Sequence, residues 1–235
     1  MSKIIAQQYI DLHTFSTDQL LDQLSKVIAD NTSIEDKPHI YQAVGMILLA
    51  HSGDMRRRPD ICTNHLLRVA IISSSLFGYN TNLVLLALLH DVVEDYPQFI
   101  PIETSANPQD IWQYFEKEYG KEFVDAMHLL TNPEEVEMED RAIHEKYHNH
   151  LKSVFLNEDA FVTKLADFID NLITVGISTS EKLKRECTPR YVPLVSEYQL
   201  RIKSLEKYII NTNFNSEEFF KECLGLYSQN ENIDK

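Results

Sequence analysis

Apolar residues recur at three- and four-residue intervals along almost the whole chain, and little interrupts them. Leu20, Leu21, Leu24, Val27 and Ile28 form one such stripe; Ile40, Val44, Ile47 and Leu48 form the next. This spacing gathers side chains on one face of a helix but scatters them over both faces of a strand. Only six glycines stand in 235 residues, and turn dipeptides are few, so hairpins have little to turn on. The chain is therefore expected to be all-α, a bundle of about ten helices. After the first two stripes, helices are expected at 65–77, 81–95, 108–118, 121–131, 135–156, 159–175, 190–210 and 215–227. Ser16 or Thr17 suits the cap of the first stripe, and Asn107-Pro108 has the cap-then-proline order of a helix start. Residues 1–35 are expected to pack as a helical extension on a domain over 36–210, with 211–235 a C-terminal helix and frayed tail.

The bulk numbers exclude several classes. With 43% hydrophobic and 25% charged residues, the composition is that of a globular chain with a sizeable core. No run of 18 apolar residues is present, so no membrane span is expected. The stretch Met1 to Gln8 is too polar for a secretory signal. Cys62, Cys187 and Cys223 are odd in number, far apart and without a Cys-x-x-Cys pair, which points to a reducing cytoplasm and away from a thiolate metal site. A net charge of −14 argues against a general nucleic-acid binder, which needs a basic face. In so acidic a chain Arg56-Arg57-Arg58 stands out. It is either a solvated basic loop or, because guanidinium groups grip phosphate bidentately, a phosphate clamp.

The segment Leu88-Leu89-His90-Asp91-Val92-Val93-Glu94-Asp95 carries the chemistry. It sets one imidazole and three carboxylates at the end of an apolar run, Leu83 to Leu89. On a continuous helix the four would share an arc of roughly 140° at about 100° per residue. Like charges at such spacing repel unless a cation, a proton or solvent offsets them. His65 and Asp167 stand at the polar ends of two other apolar stretches. Two imidazoles and two carboxylates make a mixed nitrogen and oxygen set, suited to Mn²⁺, Fe²⁺ or Zn²⁺. His144-Glu145-Lys146-Tyr147-His148 also has a metal-binding spacing. Its flanks are charged and no third ligand is apparent, so it is read as a polar helix face.

Three stretches together resemble a known family. Ala50-His51-Ser52-Gly53-Asp54-Met55-Arg56 with His65 is similar to its "AHxGQxR…H". Ala87-Leu88-Leu89-His90-Asp91-Val92-Val93-Glu94-Asp95 is similar to "ALLHDxVED", and Lys164-Leu165-Ala166-Asp167 with Asn171-Leu172 to "KLADxxxNL". The family is that of the HD-domain metal-dependent phosphohydrolases, in its branch of (p)ppGpp hydrolases and stand-alone small alarmone hydrolases. The resemblance covers roughly residues 40–200, a span typical of one domain. Leu66 stands where the family usually has proline, and the loop Arg57 to Cys62 lacks its usual Gly-x-Pro-Tyr element, so the base of the nucleotide stays open.

The resemblance implies an HD-domain bundle in which His65, His90, Asp91 and Asp167 hold one Mn²⁺, or Fe²⁺ or Zn²⁺. It implies Glu94 and Asp95 as catalytic residues that orient a water and shuttle its proton, and Arg56, Arg57 and Asn171 as substrate-binding residues. The expected reaction removes the 3′-pyrophosphate of guanosine tetra- or pentaphosphate, releasing pyrophosphate and GDP or GTP. The expected partner is a nucleotide, with no nucleic acid and no membrane; a homodimer is allowed. Two alternatives stay open: another HD phosphohydrolase acting on an adenine alarmone, a dNTP or a nucleoside monophosphate, and a non-catalytic HD regulatory module.

Overall fold

The computed structural model describes residues 2–52, 59–95, 97, 100–101, 108–131, 149–205, 209–211 and 214–228. The fold is all-α. In chain order the helices are α1 (Ser2–Leu12), α2 (Thr17–Asn31), α3 (Lys37–Ser52), α4 (Pro59–Phe77), α5 (Thr81–Leu89), α6 (Val92–Asp95), α7 (Pro108–Tyr119) and α8 (Lys121–Leu130). Helical residues 149–154 follow as α9. Then come α10 (Glu158–Ile177), α11 (Glu181–Tyr191), a 3₁₀ turn (Val192–Leu194), α12 (Val195–Leu205) and α13 (Ser216–Ser228).

Helices α4, α5 and α10 pack on one another at the centre, with α2 against α4 and α3 against α5. Their position follows from composition. Leu83 through Leu89 are all buried, and α10 is buried along most of its length. A helix that is apolar all round cannot lie on a surface. Each fully buried leucine contributes about 1.5–3 kcal/mol, so a Leu86→Ala change in α5 should cost about 2–5 kcal/mol. The outer helices are two-faced instead. Trp112 of α7 packs against Phe115 and, with ring centroids 3.8 Å apart, against His128 of α8.

Local signals set the ends. Ser16 caps α2 in a reciprocal box: its hydroxyl accepts from the Gln19 N–H, and Gln19 Oε1 accepts from the Ser16 N–H. Asn80, Asn157 and Ser180 cap α5, α10 and α11 in the same chemical manner.

Several elements differ from expectation. The helix expected over 81–95 is two helices, because α5 stops at Leu89 and His90 and Asp91 form a turn before α6. The Ala87 carbonyl accepts from the His90 imidazole at 2.9 Å, where the Asp91 N–H would otherwise bond. The helix expected over 190–210 is broken by Pro193, which has no N–H to donate. Helix α11 has no counterpart among the expected elements because it buries none of its residues and so carries no apolar stripe. Helix α4 also begins at Pro59, ahead of the expected 65. Asn107, His144, Glu145 and His148 lie outside the described residues.

Candidate metal centre

Helices α4 and α10 each carry a polar line through an otherwise apolar body. On α4 it is His65 and Arg68; on α10 it is Lys164, Asp167 and Asp170. Residues three apart share a helix face, so the two lines meet where the helices pack. The turn at His90 and Asp91 closes the third side. A polar group buried in this way has to be paired.

The pairing converges on one point. Ligand atoms of His65, His90 and Asp91 all lie within 4.8 Å of one another. Asp91 spans both imidazoles, with Oδ1 3.2 Å from His90 Nε2 and Oδ2 3.6 Å from His65 Nε2. Asp167 enters from α10, with Oδ1 3.3 Å from His65 Nε2 and 4.0 Å from His90 Nε2. The four expected ligands are thus brought together. His90, Asp91, Glu94 and Asp95 do not share one continuous helix as the sequence spacing suggested; the turn after Leu89 aims His90 and Asp91 at His65.

The hydrogen bonds behind the imidazoles decide which atoms face inward. His90 Nδ1 meets the Ala87 carbonyl, an acceptor only, so Nδ1 carries the proton and donates. In the neutral ring that leaves a lone pair on Nε2. This nitrogen is buried, has no hydrogen-bond partner among the described residues and faces the oxygens of Asp91 and Asp167. A lone pair opposed to carboxylate oxygens is stable only with a proton or a cation between them. His65 is backed the same way, its Nδ1 2.8 Å from Asp170 Oδ2. Imidazoles held at Nδ1 by a carbonyl and a carboxylate, with both Nε2 atoms convergent, are arranged as metal ligands are. The donor set fits a divalent ion such as Mn²⁺, Fe²⁺ or Zn²⁺.

Charge in the centre is strongly perturbed. Burial disfavours the His65 imidazolium, but Asp167 and Asp170 outweigh it and the pKa is pushed up to about 10. Burial likewise opposes ionisation of Asp167, yet Lys164, His65 and His90 hold its carboxyl below the usual range. The Lys164 ammonium lies 2.8 Å from Asp167 Oδ2. Asn171 donates from Nδ2 to Asp167 Oδ1, the oxygen that also faces the imidazoles. Asp91 differs from these buried groups, with 39% of its side chain exposed. The centre therefore opens to solvent on the Asp91 side. Glu94 is exposed on α6, one turn beyond. Of Asp95 only the backbone, at the end of α6, is described, and Arg56 and Arg57 lie outside the described residues.

Sequence reasoning passed over Arg68, Asp170 and Lys164. A signal existed, since each is a charge inside an apolar helical run, three residues from a proposed ligand. No such signal marks His13, which reaches Asp170 from the end of α1. Set against known proteins, the chain matches no family model and no curated protein. Among the described residues no helix is long and apolar enough to cross a membrane.

Proposed function

We propose that this chain is a divalent-metal-dependent phosphohydrolase of the HD-domain type that removes the 3′-pyrophosphate of guanosine tetra- or pentaphosphate. The observation that carries the metal-dependent part is the convergence of the His65 and His90 Nε2 atoms with Asp91 and Asp167, each ring backed at Nδ1. The nucleotide rests on the resemblance of the three motifs quoted above. His65, His90, Asp91 and Asp167 hold the ion. When bound, a divalent ion supplies a water of lowered pKa and offsets charge on the phosphoryl group.

The chain's own residues do the rest. Glu94, on the solvent side of the cluster, takes the proton of the attacking water, and Asp95 assists from the same turn. Such help is typically worth roughly 10²–10⁴-fold. The bond between the 3′ oxygen and phosphorus breaks, the 3′ oxygen gains a proton, and pyrophosphate leaves GDP or GTP behind. Lys164 and Asn171 hold Asp167 in place, and Asn171 is also the residue nearest in kind to a ribose contact. Arg56 and Arg57 grip the phosphates, so Arg56→Ala raises KM with thermal stability nearly unchanged.

The test is phosphate and nucleotide release from purified protein with Mn²⁺, on a panel of ppGpp, pppGpp, ppApp, 3′-phospho-NADPH and dNTPs. Pyrophosphate with GDP or GTP, abolished by chelation, is the expected result. Turnover confined to ppApp or dNTPs would move the assignment to another HD phosphohydrolase. Failure to bind any divalent ion would overturn the metal-dependent reading.

A further inference from the structure

Asp170 sits in the middle of α10 with none of its side chain exposed. An unpaired carboxylate at that depth is untenable, and here each oxygen is occupied. Oδ2 accepts from His65 Nδ1 at 2.8 Å and from Arg68 Nη2 at 3.0 Å. Oδ1 accepts from Arg68 Nε at 2.6 Å. His13 Nε2 lies 3.3 Å from the same Oδ1. That nitrogen is buried, with no hydrogen-bond partner among the described residues, so the carboxylate is the group it addresses.

The placement of His13 is itself fixed. It follows α1 in a tight turn, its N–H donating to the Ile10 carbonyl. Helix α1 is tied to α4 by the Tyr9 and Ser75 hydroxyls, 2.6 Å apart, and to α13 by the edge of Tyr9 on Phe219. The far end of the sequence thus reaches the group that backs a proposed metal ligand. A carboxylate gripped by two guanidinium nitrogens and flanked by an imidazole cannot swing, and neither can the ring it holds.

We propose that Asp170 and His13 are positioning residues of the metal centre: Asp170 fixes the His65 ring with Nε2 turned to the ion, and His13, with Arg68, fixes Asp170. This rests on the metal-binding reading of His65, His90, Asp91 and Asp167. It makes α1 a working part of the centre and not a detachable appendage.

The experiment uses the full chain and has two arms. In the first, Mn²⁺ affinity is measured by electron paramagnetic resonance and ligand geometry by the Co²⁺ absorption spectrum. Asp170→Asn should weaken Mn²⁺ binding about 10–100-fold and alter the Co²⁺ spectrum. Asp170→Asn disturbs the partner of a buried arginine, so His13→Ala, which leaves the Arg68 grip intact, is the second variant. It should weaken binding several-fold and shift the spectrum in the same sense, and His13→Gln, which keeps a donor, should restore most of the loss. In the second arm, the metal-free protein is studied by NMR. The His65 Nδ1–H should exchange slowly in the wild type, faster in His13→Ala and slowly again in His13→Gln. Wild-type affinity, spectrum and exchange in His13→Ala would overturn the proposal for His13; the same in a folded Asp170→Asn would overturn it for Asp170. Wild-type protein that binds neither ion would overturn the metal reading instead, while the exchange arm still decides whether these residues hold the ring.

Discussion

Two layers of charge lie side by side where α4 packs on α10. One holds Asp170 between Arg68 and His13 and is closed to solvent. The other holds His65, His90, Asp91 and Asp167 and opens at Asp91. The closed layer is balanced: one carboxylate meets one guanidinium with good geometry, and burial supplies rigidity. The open layer is balanced only by a proton: two carboxylates face two imidazole nitrogens, Lys164 answers one oxygen of Asp167, and without a bound cation the raised pKa of His65 supplies the remaining positive charge. Such dependence is costly for a structure with nothing to add and useful for one that binds a cation. The contrast teaches that the same residue types, one helical turn apart, can serve as support or as site, depending on whether their charges close.

The sharpest way to break this contrast is Asp91→Asn. Turnover should vanish and Mn²⁺ affinity should fall by more than the roughly 10–100-fold expected for an outer partner. Folding stability should change little, since Asp91 is partly exposed and its ion pair is screened by solvent. A dead variant that titrates with a full equivalent of Mn²⁺ would remove Asp91 from the ligand set.

Asp170→Ala should invert that pattern. It strands the Arg68 guanidinium in the core, so urea unfolding should show a loss of about 3–5 kcal/mol. A change below about 1 kcal/mol, within the range of surface pairs, would mean that the closed layer is not what holds these helices in register.

Glu94→Gln tests the solvent side of the open layer. Metal affinity should stay, while kcat falls by about 10²-fold. Wild-type kcat across the pH range would leave Glu94 without a proton to move.

Per pH unit, a gradual effect is expected as a pH slope. In metal-free protein His65 holds its proton more tightly folded than unfolded, with a pKa of about 10 against an ordinary 6.5. Its contribution is complete below the lower value and disappears as pH rises through the upper one. Unfolding free energies from urea titrations in EDTA should therefore decline over that window, by at most about 1.4 kcal/mol per pH unit for one proton. His65→Gln should flatten the slope; an unchanged slope would assign it to another group. Asp170, whose lowered carboxyl reflects Arg68, His13 and His65 outweighing burial, acts in the opposite direction: its contribution is lost only in strong acid.

Much of the centre was legible before the fold was known. His65, His90-Asp91 and Asp167 stood out because each sets a metal-binding type of side chain against an apolar run. The geometry at His90 was not legible. Helical spacing places it under Glu94, but a hydrogen bond from its own ring to the Ala87 carbonyl ends the helix first. Helix α11 escaped because it is held by its Ser180 cap and by charges at its ends, without an apolar stripe.

Sequence by itself determined that the chain is helical, where its apolar runs lie, and which residues have the chemistry to hold a cation. Those properties are local: periodicity, apolar runs and residue type are written within a few turns of chain. Tertiary structure alone decided which charges face one another. His65 meets Asp167 and Asp170 across a gap of about a hundred residues, and His13 meets Asp170 across a wider one. Such meetings depend on how whole helices rotate and pack, and that rotation is set by every buried contact along them at once.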